Sequence, residues 1–200
     1  MTRRTRSGAA AVLAVLACAL PAGSAQAAYH DNVAQATIEQ DGGRAFDFAW
    51  DIAKQRGGVV DQANKAHAAG RCTGCEATAI AFQIVLVSGA PSTVAPINLA
   101  RAVNDRCPGC ETVAEAHQFV RVVKDPVRLT GRGRATLRDV RSDLRALEAL
   151  DPPIDQLHKA IDTEAERVNE VLDTELVLRS NPSEDADVID AQLAQDADQG

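Results

Sequence analysis

Ile80-Ala81-Phe82-Gln83-Ile84-Val85-Leu86-Val87 decides how this chain folds. The run is apolar, nearly continuous and rich in β-branched residues. Taken alone it is a buried strand or a stretch of buried helix. Its surroundings arbitrate. It follows Arg71-Cys72-Thr73-Gly74-Cys75-Glu76 and stops at Ser88-Gly89-Ala90-Pro91, a turn signal. The motif returns 35 residues later as Arg106-Cys107-Pro108-Gly109-Cys110-Glu111. After that second motif, Val113, Ala116, Val120 and Val123 step by three, four and three, which is helical spacing. Aligned to it, the first run reads as helix. Read as strand, the units become hairpins with the cysteines in the turn.

An alternating segment precedes each cysteine motif. Asn64-Lys65-Ala66-His67-Ala68 and Asn98-Leu99-Ala100-Arg101-Ala102-Val103 have the period of a strand. Asn32-Val33-Ala34-Gln35-Ala36-Thr37-Ile38 is a third copy. Its turn is Asp41-Gly42-Gly43-Arg44, and Phe46, Trp50 and Ala53 then recur at helical spacing. Three strand-turn-helix repeats result, starting at Asn32, Asn64 and Asn98. In the first, an Asp41–Arg44 ion pair is expected where the later copies have cysteines. The three Asn are expected at turns or strand starts. Gln83 and Gln118 recur in register and are expected to bond a neighbouring backbone.

After Val127-Arg128-Leu129, a short strand, the pattern changes. Leu137, Val140, Leu144 and Leu147 step by three, four and three. Asp151-Pro152-Pro153 breaks the helix, with Asp151 as N-cap and Pro152 as first helical residue of the next. Ile154, Leu157, Ile161, Ala165, Val168, Leu172 and Leu176 continue the stripe. Residues 132–150 hold five Arg against three acids, and residues 154–179 hold seven acids against three bases. An antiparallel helical hairpin of coiled-coil character fits both patterns. A surface helix pair packed on the repeats shows the same stripes.

The termini differ from this body. Arg3, Arg4 and Arg6, the apolar segment 8–20 and Ala25-Gln26-Ala27 have the form of a secretory signal peptide over residues 1–27. Its removal takes the formal charge from -7 to -10, since it carries three Arg and no acid. So acidic a chain repels nucleic acid and anionic membrane surfaces, and neither is expected as a partner. Residues 183–200 hold six acids and no base, a composition expected of a disordered tail over 181–200. The expected organisation is therefore a signal peptide at 1–27, a CxxC repeat domain at 28–129, a helical hairpin at 130–180 and the tail. The class is α+β.

Cys72, Cys75, Cys107 and Cys110 are the candidate site. In an exported chain such pairs are disulfides first. Four cysteines allow three connectivities, and local pairs Cys72–Cys75 and Cys107–Cys110 are expected. At a strand-to-helix junction the first sulfur would meet a helix N-terminus, which lowers thiol pKa and suits thiol-disulfide exchange. Four thiolates also suit one tetrahedral zinc. No Ser/His/acid triad, nucleotide loop or carboxylate pair stands out, so no catalytic residue and no cofactor is assigned.

Ala81-Phe82-Gln83-Ile84-Val85-Leu86-Val87-Ser88-Gly89, Asn98-Leu99-Ala100, Gln118-Phe119-Val120 and Thr130-Gly131-Arg132 together resemble a group of small exported actinobacterial proteins of uncharacterised function. The resemblance covers about residues 32–179. Some members are labelled peptide zinc metalloproteases. This chain has no H-E-x-x-H, and its four His are scattered, so the label does not carry over. The resemblance implies export and these boundaries. Together these readings lead to an expectation: a secreted, disulfide-stabilised structural or protein-interaction module without catalytic activity, meeting a protein partner through the helical hairpin. The alternatives are an extracytoplasmic thiol-disulfide oxidoreductase and a module stabilised by zinc on all four cysteines.

Overall fold

The computed structural model describes residues 31–179. The expected signal peptide and acidic tail lie outside the described residues. The order is β1 (Asn32–Ile38), β2 (Arg44–Val60), β3 (Ala63–Gly70), β4 (Glu76–Val94), β5 (Ile97–Asn104), β6 (Glu111–Val123), β7 (Val127–Leu129), α1 (Gly131–Leu150), α2 (Ile154–Thr174) and β8 (Leu176–Leu178).

The expected α+β class, three strand-turn-helix repeats followed by an antiparallel helical hairpin, is overturned: the described residues are mostly strand, in parallel sheets, with two helices packed on one of them. Each repeat is strand-turn-strand, and its two strands enter different sheets. One sheet, A, has the order β1-β3-β5, and the other, B, has β2-β4-β6. All pairings in both sheets are parallel. Asn32 pairs with Asn64 and Asn64 with Asn98, while Arg44 pairs with Glu76 and Glu76 with Glu111. Each repeat is thus one coil of a β-solenoid, stacked on the next. A hairpin was the alternative for these units, and it fails too, because no strand of sheets A and B pairs with its own sequence neighbour.

The residues of β2 and β4 explain this. Phe46, Phe48, Trp50 and Ile52 occupy alternate positions and pack toward one cluster; Ile80, Phe82, Ile84 and Leu86 do the same. The intervening Ala45, Ala49, Ala77, Ala79 and Ala81 face the other way, against Ala34, Ala36, Ala66 and Ala68 of sheet A. Sheet B is covered on both faces, so both faces are apolar and the alternation loses its polar contrast. The interface between the sheets is lined by Ala. Cα atoms of β1 and β4 accordingly come within 8 Å, closer than the usual separation of about 10 Å. Ala buries little area, so this layer contributes little hydrophobic free energy.

The larger core lies on the outer face of sheet B. Leu137, Val140, Leu144 and Leu147 of α1, with Leu157, Ile161, Val168 and Leu172 of α2, pack there on Ile80, Phe82, Ile84, Leu86 and Phe119. The helical stripes therefore face a sheet and do not make a free-standing coiled coil. Asp151 is the left-handed C-cap of α1 (φ 47°), and α2 starts at Ile154 after Pro153, so the expected N-cap role of Asp151 and helical start at Pro152 do not hold. Thr130 caps α1, its hydroxyl accepting from the Gly133 amide at 3.0 Å and donating to Glu175. Gly133 is required there, since a Cβ would stand 2.7 Å from the Glu175 Cβ. β7 and β8 close the helical segment as an antiparallel pair.

Polar contacts hold α2 to β6. Arg121 reaches Asp173 at 3.0 Å, and Glu115 meets His158 Nδ1 at 2.7 Å and His117 Nε2 at 3.5 Å. His117, then His158, holds the Glu115 carboxyl below its ordinary value, against the opposing effect of burial. A carboxylate with a depressed folded pKa adds stability above its unfolded pKa and loses it as pH falls through the folded value. Below about pH 4.5, urea midpoints are therefore expected to fall less steeply in Glu115→Gln than in the parent chain. Equal slopes would remove Glu115 from the acid response.

Candidate functional site

The three coils turn along one edge of the solenoid, and their turns stack. Gly42 N–H donates to Thr73 O and Gly74 N–H to Pro108 O, both at 2.9 Å. Gly42, Gly74 and Gly109 hold φ of 63°, 62° and 69°, so each turn needs a residue free of the Cβ penalty at the same place. The third turn has one more residue than the second, since Gly70 pairs with Asn104 while Glu76 pairs with Glu111. Arg106 takes up the extra length at φ 50°.

Two of these turns bring the four predicted cysteines together. Cys72–Cys75 and Cys107–Cys110 stand at disulfide distance, with Cα separations of 6.0 and 5.5 Å, inside the usual range of about 4.4–6.8 Å. All four Sγ atoms lie within 4.8 Å of one another. Cys75 Sγ is 3.0 Å from Cys110 Sγ and 3.4 Å from Cys107 Sγ. Backbone N–H groups of Cys72 and Cys75 point at the sulfurs of Cys107 and Cys110, at 3.4 and 3.3 Å. Cys75 is fully buried and Cys72 nearly so, whereas the outer pair is half-buried.

The dipole argument for a lowered thiol pKa does not apply. Strands β4 and β6, not helices, follow the two motifs. The expected Asp41–Arg44 pair is also absent from the described ion pairs. Arg44 pairs with Glu76 and Asp151, and Asp41 accepts from the Thr73 amide at 2.7 Å. A bridge that closes a ring of only four residues contributes modestly. The loop-entropy relation gives about 2 kcal/mol. Cys72→Ser with Cys75→Ser is expected to lower denaturant stability by about that amount, leaving the far-ultraviolet circular dichroism of the native state unchanged.

Sequence reasoning placed the three Asn at turns or strand starts; they stand at the starts of β1, β3 and β5, and their side chains stack in a ladder that is buried at Asn32 and Asn64 and exposed at Asn98. Asn32 Nδ2 donates to Asn64 Oδ1 at 2.8 Å, and Asn64 Nδ2 to Asn98 Oδ1 at 2.9 Å. Asp51, Gln83 and Gln118 form a second ladder, with Gln118 also donating to Gln62 O at 2.9 Å. The signal was the identical register of these residues in each copy. Toward the ends of the sheet B strands away from the cysteines, a cleft of about 360 Å³ is lined by Lys54, Arg56, Arg128 and Arg179 around Leu86 and Val127. None of these four cations is in a described ion pair.

No described helix is long and apolar enough to cross a membrane. Cysteine pairs at disulfide distance are compatible with an extracytoplasmic location. Comparison of the chain with protein-family models, curated proteins and solved structures found no match.

Proposed function

We propose that this is an exported, disulfide-stapled structural and interaction module without catalytic activity, and that it acts by taking an extended partner segment onto the open end of its solenoid. One observation carries the reading. Asn64, Ala66 and Ala68 of the middle coil are at most 1% exposed, yet their partners Asn98, Ala100 and Ala102 on the last coil are exposed. The first coil differs: Asn32, Ala34 and Ala36 are all buried. β5 pairs on one side only, and beside that free edge Ile97 and Leu99 are 52% and 51% exposed. An edge of this kind is a template for another strand. On the described helices Leu150 is the one exposed large apolar side chain, because the stripes are packed on sheet B.

A photo-crosslinking residue at position 99, expressed in the exporting cell, tests this. A discrete adduct from position 99, lost when Ala100→Glu is added and not formed from position 145 on α1, is the expected result. Adducts from neither position, or equally from both, would overturn it. An insulin-reduction assay addresses the oxidoreductase alternative, and no turnover is expected.

A further inference from the structure

We infer that the four cysteines form one exchange cluster, in which a thiolate of the outer pair converts the local inner bridge into a coil-to-coil disulfide, Cys75–Cys110. The inference is independent of the open-edge reading, and either can fail alone.

Contact comes first. Cys75 Sγ and Cys110 Sγ are 3.0 Å apart without being bonded. Cys75 and Cys110 directly precede Glu76 and Glu111, which are register partners in adjacent parallel strands. Such neighbours sit about 4.8 Å apart, within the Cα range a disulfide spans. Access comes second. Cys75 is fully buried, so an external thiol meets the half-buried outer pair before the inner one. Thiolate stabilisation comes third. The Cys75 N–H aimed at Cys110 Sγ, at 3.3 Å, favours the charged form of that sulfur once it is free, against the opposing pull of Cys72 O at 3.1 Å, which favours the thiol.

The chemistry balances with one external dithiol. It reduces Cys107–Cys110 by two electrons and leaves as a disulfide. Cys110 thiolate then attacks Cys75 Sγ. The Cys75–Cys110 bond forms as the Cys72–Cys75 bond breaks, and the electron pair departs on Cys72 Sγ, which takes up a proton. One bridge and two thiols, Cys72 and Cys107, remain. Attack by Cys107 on Cys110 reverses the link, restores the outer bridge and leaves the inner pair reduced. The outer pair is thus the route by which electrons reach the inner pair. The intermediate ties the second coil covalently to the third, which neither local bridge does.

The test is limited reduction of the full chain by dithiothreitol with a chelator present, followed by acid quench, alkylation and peptide mass mapping. The outer pair should open first, and a Cys75–Cys110 linked peptide should follow. Reduction of the inner pair should be at least about tenfold slower in Cys107→Ser with Cys110→Ser, because attack within a contact pair outruns a dilute external thiol. Cys107→Ser alone keeps a bridge and so guards against misfolding. In that variant label should divide between Cys110 and Cys72. Label on Cys110 alone, or inner reduction at an unchanged rate without the outer pair, overturns the inference.

Discussion

Phe82→Ala is expected to cost about 3–5 kcal/mol, the range for removing a fully buried aromatic ring. Phe82 is the central residue of the sheet-helix core and has no exposed surface. Parallel register places Trp50 and His117 on either side of it, with ring centroids at 6.0 and 4.8 Å, and Phe119 lies 6.0 Å away. Truncation removes contacts to three rings at once and leaves a cavity that sheet and helices on opposite sides cannot easily collapse. A domain of this size has a total stability of about 5–15 kcal/mol, so much of it goes. Guanidinium unfolding followed by Trp50 fluorescence measures the loss. A cost below about 1 kcal/mol would mean that the helices do not rest on sheet B as described.

Asn64→Ala is the second large effect, at about 2–4 kcal/mol. The side chain is fully buried. Its Nδ2 is within hydrogen-bond range of Ala81 O, Asn98 Oδ1 and His117 O, at 3.0, 2.9 and 3.1 Å, and its Oδ1 accepts from Asn32. The substitution removes only the carboxamide group, so the cavity is small and its cost minor. Unmet acceptors dominate, at about 1–3 kcal/mol each. The control is Asn98→Ala, the same residue one coil on. It is exposed and water replaces its partners, so its cost should be below about 1 kcal/mol. A double-mutant cycle between positions 32 and 64 should give a coupling of at least about 0.5 kcal/mol, as for any contacting pair. Equal costs at 64 and 98 would contradict the difference in burial between middle and last coil.

Much of this architecture is legible in particular residues. The repeats at Asn32, Asn64 and Asn98 are the coil starts, and the aligned Asp41-Gly42-Gly43-Arg44 and cysteine motifs are the stacked turns. Misreading came from sampling. Phe46, Trp50 and Ala53 fit a helical spacing only if Phe48 and Ile52 are passed over; with them, the run alternates strictly. In the third copy Glu115, His117 and Arg121 sit on the apolar face and hid the same alternation. Glu115 and Arg121 are accepted there because α2 supplies partners, His158 and Asp173, and His117 packs its ring on Phe82 and Phe119.

The amino-acid sequence by itself determined the repeat length, the turns, the place of a cysteine pair in each of two turns, and which residues recur in register. Each of these is a property of one copy or of its comparison with the next. Tertiary structure alone decided that the apolar runs are strands. A parallel strand has no backbone partner inside its own repeat. Its N–H and C=O groups are satisfied only by the copies before and after it, about 32–35 residues away. The same cause leaves the last coil open, since no described coil follows to cover Asn98, Ala100 and Ala102.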